Sequence, residues 1–256
     1  MEEPARQFGV VLRRRVPQRD GHRHGHRSYA VRLDHLFDGV RDALSRRMPQ
    51  HLVAVFKNEK ADEGFLKNLD ELSGGLVRSA LEADEFSGKE NETAYFHLVG
   101  NNRLKARRLL LVGVGEAGDY KSAQISQMAG TAVRSLRSKK AKSIAVLPRA
   151  SGDASETAAT AVEGAYIALF DPDKYRTVEK EEKTVDRLLV TIEGAEEDAL
   201  QRGVNVGRIV GEAVNFTRDM ANEPGAYMTP TDMAERARQI ANEFGLTVDI
   251  LDEAQM

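Results

Sequence analysis

The chain reads as an α/β protein, a mixed and partly parallel sheet with helices on both faces. Three observations predict it. Short continuous apolar runs, Leu52–Phe56 and Leu109–Val112 above all, are what strands covered on both faces look like. Between such runs lie segments whose apolar residues recur at helical spacing. Glycine-bearing turns punctuate the change from one period to the other.

Composition sets the outer bounds. The 256 residues suffice for one large domain, or one domain and a piece of another. Hydrophobic residues make up 41% and charged residues 30%, as in a water-soluble globular chain. The net charge of −3 carries no nucleic-acid footprint, so nucleic acid is not an expected partner. The absence of cysteine excludes disulfides and thiol catalysis, and it fits a cytoplasmic location. No apolar run approaches the ~18 residues of a membrane helix, and the basic N-terminus lacks the apolar core of a signal peptide.

Taken in order, residues 1–50 form a basic extension expected to be poorly ordered, dense in arginine from Arg13–Arg15 to Arg46–Arg47. Val10–Leu12 is its one candidate strand. Leu36, Phe37, Val40 and Leu44 give Asp34–Leu44 the spacing of a short helix. His22, His24 and His26 would align on one side of a strand and could hold a divalent ion, but no carboxylate or cysteine accompanies them. No metal site is assigned there.

Residues 51–195 are expected to form the α/β domain. Leu52–Phe56 is its first strand. Within Phe65–Leu81, Leu66, Leu69, Leu72 and Leu76 form a helical stripe interrupted by Ser73-Gly74-Gly75, and the alternative is that the glycine pair breaks it into a loop and a second helix. Ala94–Val99 is a strand candidate, and Arg108–Val112 is the clearest strand of all. It runs into Gly113-Val114-Gly115-Glu116-Ala117-Gly118, a G-x-G-x-x-G pattern. As a nucleotide fingerprint this is weak. The following helix starts near Ser122, so Gly118 does not open it, and the next strand, Ser143–Leu147, ends in Pro148-Arg149 instead of a ribose-binding acid. A tight strand-to-helix turn is the preferred reading, and a macro-type module for ADP-ribose or a related nucleotide is the alternative.

Ile125, Ala129, Val133 and Leu136 predict a helix over Ser122–Leu136, and Ser155–Phe170 predicts another, followed by the strand Arg187–Ile192. Residues 196–224 read as a linker helix packed on both sides. Gly203, Gly207 and Gly211 lie on one face at four-residue spacing, where each costs about 1 kcal/mol relative to alanine, so they predict a second backbone close by. Ile209, Ala213 and Met220 form the opposite apolar set. Glu223-Pro224 ends this helix. Thr229, Pro230 and Asp232 then supply an N-cap, a first-turn proline and a capping box, and Gly245 closes a helix striped by Met233, Ala237, Ile240 and Phe244. Leu246, Val248 and Ile250 alternate with polar residues, as in a strand.

The stretch Asn215-Phe216-Thr217-Arg218-Asp219-Met220-Ala221-Asn222-Glu223-Pro224, continuing to Thr229-Pro230, resembles the domain junction of the leucyl (cytosol) aminopeptidase family, whose pattern is N-x-x-R-D-L-x-N-x-P-x-N-x-x-T-P. Asn215, Arg218, Asp219, Asn222, Pro224, Thr229 and Pro230 match it. Met220 replaces the family's leucine, and Ala226 replaces an asparagine. Glu163-Gly164, Phe170-Asp171 and Tyr175 add a weaker likeness, and a V-G-x-G loop like Val112–Gly115 occurs in the family without a nucleotide.

The resemblance implies a macro-like N-terminal domain over 51–195, a linker helix over 196–224 and the truncated start of a catalytic domain over 225–256. It implies a parent peptidase, homo-hexameric, that removes N-terminal residues from peptides. Two divalent ions, zinc, manganese or magnesium, would activate water and polarise the scissile carbonyl there. The family's metal ligands and catalytic lysine and arginine lie beyond the matching stretch. The expectation is therefore that this chain holds no catalytic, cofactor-binding or metal-binding residue, is inactive and not hexameric by itself, and meets peptides only through a catalytic domain it lacks. A regulatory partner of a full-length aminopeptidase is a further alternative.

Overall fold

The computed structural model describes residues 9–13 (backbone only), 50–98, 104, 106–172, 175, 178, 185–251 and 255. Two compact units result, Met1–Ala213 and Val214–Met256. The division falls inside the helix assigned above to the linker.

The first unit is built on a six-stranded sheet in the order β1-β6-β5-β2-β4-β3. Its strands are β1 (Gly9–Arg13), β2 (Gln50–Val55), β3 (Thr93–His97), β4 (Arg108–Gly113), β5 (Ser143–Leu147) and β6 (Arg187–Thr191). The inner four run parallel, while β1 and β3 pair antiparallel at the edges. The mixed sheet expected from sequence is thus present. The candidate strand at Val10–Leu12 forms β1, which pairs Val10 with Val190 and Leu12 with Leu188. Six residues placed in the basic extension, Gly9–Arg13 and Gln50, belong to the sheet instead. The three-histidine stretch and the Asp34–Leu44 helix lie outside the described residues.

Both faces of the sheet are covered, which is why the strands read as unbroken apolar runs. Leu52 and Ala54 join one core with Leu110, Val112, Ile144, Val146 and Val190. Val53 and Val55 point the other way, to Leu109, Leu111, Ala145, Leu147 and Leu189. The first face carries α3 (Ser122–Ser138), α4 (Ala154–Ala168) and the first half of α5 (Glu197–Ala221). The second carries α1 (Gly64–Ser73) and α2 (Leu76–Glu82), the two pieces into which Gly74 and Gly75 split the leucine stripe.

The glycine stripe of α5 does what its spacing implies. A Cβ on Gly203 would overlap the Ser155 carbonyl, one on Gly207 the Ala159 carbonyl, and one on Gly211 the Tyr166 side chain. All three targets lie on α4, so two helix backbones approach there as no larger residue allows. The opposite side of α5 departs from expectation. Val206 and Ile209 are 53% and 57% exposed, so at these positions the described residues cover the glycine side alone. Its apolar residues had suggested a second contact that the described residues do not supply.

In the second unit, α6 (Pro230–Phe244) has the ends read from sequence. Thr229 accepts from the Asp232 N–H, Asp232 accepts from the Thr229 N–H at 3.0 Å, and Gly245 closes the helix in the left-handed region. Its apolar stripe is largely open, and Ala241 is the buried residue of the helix. The strand expected at Leu246–Leu251 is not formed. A strand persists by laddering to a neighbour, and the described residues of this unit include none.

Candidate functional site

Two places in the first unit carry the groups from which a site could be built, and both lie at the carboxyl ends of the parallel strands. The first is the glycine loop after β4. For a phosphate to sit there, backbone N–H groups must point at it unpaired. They do not. Gly113 donates to the Glu92 carbonyl at 2.8 Å, Val114 to Val55 at 3.0 Å and Gly115 to Gly88 at 3.0 Å. The loop's carbonyls are used as well, Gly113 by the Asn91 N–H and Gly115 by the Lys57 N–H.

The glycines answer to packing. A Cβ on Gly113 would overlap the Lys89 carbonyl and the Gly88 backbone, and one on Gly88 would overlap Phe56. The segment Ser87–Glu92 thus occupies the near side of the loop. A single 3-10 turn, Ala117–Asp119, follows before α3 starts at Ser122, so Gly118 opens no helix. The tight-turn reading accounts for every glycine of the pattern that needs one.

Within that segment the Glu92 carboxylate accepts from the Ser87 N–H at 2.9 Å, its hydroxyl at 3.0 Å and the Lys89 N–H at 3.1 Å. Desolvation raises its pKa, but the bonds from Ser87, Lys89 and Gly88 outweigh that and hold it below the usual carboxylate value. Glu92 is thereby a built-in anion that keeps the loop closed on itself.

The second place is a pocket of about 280 Å³. Phe56 after β2, Phe65 on α1, Pro148 and Arg149 after β5, and Thr191 and Glu193 at and beyond β6 line it. Its location follows from the topology. From β2 the chain passes to β4 on one side, then returns to lay β5 on the other. The crevice beyond the carboxyl ends of β2 and β5 is therefore a switch point of an open α/β sheet, where ligands of such sheets bind.

Arg149 dominates this pocket. Its guanidinium carbon stands 5.1 Å from the Phe56 ring centre and 4.7 Å from that of Phe65. Nη2 pairs with Glu59 at 2.9 Å, and the second oxygen of Glu59 accepts from the Phe56 N–H at 2.9 Å. Nη1 is buried and has no acceptor among the described residues. The Arg149 N–H donates to the Tyr120 hydroxyl at 3.2 Å. Burial pushes that phenol up to about 12, with the Arg149 hydrogen bond and charge opposing, so Tyr120 acts as a neutral brace.

The sequence noted Pro148-Arg149 only as the wrong ending for a ribose-binding strand. Glu59, Phe65 and Glu193 left no signal, because residues from four separate segments meet there only once the sheet is folded. A polar residue straight after a buried parallel strand is the one hint a sequence holds of such a place.

The junction residues form turns and helix ends. The Asn222 side chain donates to the Arg218 carbonyl at 2.7 Å, and the N–H groups of Tyr227 and Met228 bond to the Pro224 carbonyl. Among the described residues, no three His, Cys, Asp or Glu side chains cluster as metal ligands would.

Residues 52–179 match the model of the cytosol aminopeptidase family, N-terminal domain. The chain belongs to that family. A probable cytosol aminopeptidase of Solibacter usitatus is 40% identical over 172 residues, 67% of this chain and 35% of that protein. One from Geotalea uraniireducens is 36% identical over 201 residues, 75% of this chain and 39% of that protein. The chain spans well under half the length of these curated relatives.

Among solved structures, a mutant tomato leucine aminopeptidase superposes with a TM-score of 0.72 at 22% identity, covering 83% of this chain and 43% of that one. The bottromycin maturation enzyme BotP in complex with Mn gives 0.59 at 21%, covering 81% and 39%. These likenesses show a shared α/β fold. No helix among the described residues is long and apolar enough to cross a membrane.

Proposed function

We propose that this chain is the non-catalytic N-terminal portion of a leucyl-aminopeptidase-like metallopeptidase that acts in the cytoplasm. The observation that carries this reading is the family match, which falls on the N-terminal domain and covers residues 52–179. The relatives are described as cytosol aminopeptidases, and one structural neighbour was solved with manganese. In peptidases of this kind two divalent ions supply an activated water and polarise the scissile carbonyl. The described residues do not fit that requirement, since no cluster of suitable ligands exists among them. We therefore place no step of peptide hydrolysis on this chain. Peptides meet it only through a catalytic domain, and alone it does not form the parent's hexamer.

The test is an assay of the purified chain on leucine anilides with zinc, manganese or magnesium added. No turnover above a buffer control is expected. Metal-dependent turnover that follows this chain through successive purification steps would refute the reading.

A further inference from the structure

We infer that the open edge of β3 takes up an extended acidic segment of another protein as an added strand, one in which acidic and apolar residues alternate. This edge lies apart from the Arg149 pocket and does not depend on the aminopeptidase reading. Strand β3 stands last in the sheet, beside β4. The Leu98 N–H donates to the Arg107 carbonyl at 2.9 Å, and the Gly113 N–H to the Glu92 carbonyl at 2.8 Å. Bonded and non-bonded pairs alternate along an antiparallel ladder, so Ala94 and Phe96 also turn their backbone groups toward β4. Thr93, Tyr95 and His97 turn theirs outward, and among the described residues their N–H and C=O groups have no hydrogen-bond partner. Thr93 and His97 are exposed and Tyr95 is half-buried, so a strand can reach this edge.

The side chains beside the edge decide what fits. Tyr95 lies on the α3 face of the sheet, with the Lys139 ammonium 4.5 Å from its ring centre and the His97 ring 5.1 Å away, edge-on. Arg108, the register partner of His97, donates to the Lys139 carbonyl at 3.0 Å. Two cations thus stand together, and among the described residues neither meets a carboxylate within salt-bridge distance. On the opposite face, Ala94 and Phe96 are partly buried against the core under α1 and α2.

An added strand alternates its side chains in step with β3. Residues opposite Thr93, Tyr95 and His97 would share the face of Lys139 and Arg108, where acidic side chains find their complement. Residues opposite Ala94 and Phe96 would share the other face, where apolar side chains extend the surface already there. Main-chain hydrogen bonds would then supply affinity, and the alternation specificity. A second copy of this chain fits worse. Pairing two β3 strands about a two-fold axis at Tyr95 would set Lys139 and Arg108 of one copy beside the same cations of the other, with no carboxylate between them. Cations beside an open edge keep like strands apart. The same cations draw an acidic strand in.

The experiment is an NMR titration of the isotope-labelled 256-residue chain with a capped peptide of about seven residues in which glutamate alternates with valine. The peptide is raised to about 5 mM, above the roughly millimolar Kd of so short a contact. Saturable shifts are expected over Thr93–His97. Amide exchange should slow at Thr93, Tyr95 and His97 and change little at Ala94 and Phe96, whose N–H groups already face β4. The same peptide with lysine for glutamate, and one N-methylated at the glutamates, should each bind about tenfold more weakly. Lys139→Glu should abolish the preference for glutamate over lysine. Lys139 is exposed just past the end of α3, so this variant keeps the fold. Any of five results would overturn the inference: no saturable shift with the glutamate peptide, equal binding of the lysine peptide, equal binding of the N-methylated peptide, a preference untouched by Lys139→Glu, or protection of Thr93, Tyr95 and His97 that grows with protein concentration in the absence of peptide, the mark of a second copy on the edge.

Discussion

Helix α5 carries Gly203, Gly207 and Gly211 in its interior and buries all three, whereas α6 has a capping box, a first-turn proline and a C-terminal glycine, yet buries only Ala241. By local criteria α5 should be the weaker helix, since three interior glycines cost about 3 kcal/mol relative to alanine. The difference lies in where each helix gets its stability. The first half of α5 is held by close packing on α4, in the same core as Leu200 and Val204. Helix α6 is held within its own unit by satisfied ends. Helix ends report on local stability, and glycines at a fixed spacing report on a neighbour that the sequence cannot name.

The contrast breaks first if the sheet unit fails to behave as a structure held by burial. His51 on β2 is fully buried, and neither ring nitrogen has a hydrogen-bond partner among the described residues. Burial lowers its pKa from 6.5 to about 4, so it is neutral in the fold. The folded value lies below the unfolded one. Between the two the unfolded chain binds the proton and the folded chain does not, so stability is lost as pH falls from about 6.5 and levels off below about 4. At 1.36 kcal/mol per unit this amounts to about 3 kcal/mol. Urea unfolding at pH 7 and pH 4.5 should show most of that loss, and His51→Leu should remove it. Equal losses in the two proteins would show that His51 finds a partner on protonation.

A smaller effect tests α5 itself. Gly207→Ala gains about 1 kcal/mol of helix propensity, but its methyl group meets the Ala159 carbonyl and the Val162 side chain. If packing dominates, the variant loses about 1–3 kcal/mol. Gly225→Ala meets nothing within 4 Å and should lie within about 0.5 kcal/mol of the parent. A stabilised Gly207→Ala in urea unfolding would mean that α5 and α4 can part at little cost, and the comparison would fail.

Most of the fold was legible because its signals are periodic. The doubly covered strands, the break at Gly74-Gly75 and the ends of α6 each follow from residues near in sequence. What could not be read depends on partners distant in the chain. Leu246–Ile250 alternates as a strand should, but alternation supplies no neighbour. Val206 and Ile209 look like core residues and stand exposed. The glycine loop carried a nucleotide pattern whose first three N–H groups turn out to be used by Glu92, Val55 and Gly88. Arg149 and Glu59 are 90 positions apart and meet only across the folded sheet.

The smallest effect sharpens the other side of the comparison. Thr229→Ala removes the N-cap of α6 and should cost that helix about 1 kcal/mol. The sheet unit should not respond. Faster amide exchange is expected over Met233–Arg236, with Leu109–Val112 still exchanging at the slow rate of a core strand. Acid should act on the same cap. Hydrogen bonds from the Thr229 hydroxyl and N–H hold the Asp232 pKa below its ordinary 3.8. A depressed carboxylate contributes its stability above the unfolded pKa and loses it as pH falls through the folded one. Fraying of α6 should therefore set in below about pH 4, beneath the window in which His51 weakens the sheet. Two separate acid transitions, with His51→Leu moving only the upper and Thr229→Ala only the lower, would mean that burial and capping hold the two regions independently. A single transition moved by either variant would show the two units to be coupled, and α6 would then owe its stability to more than its caps.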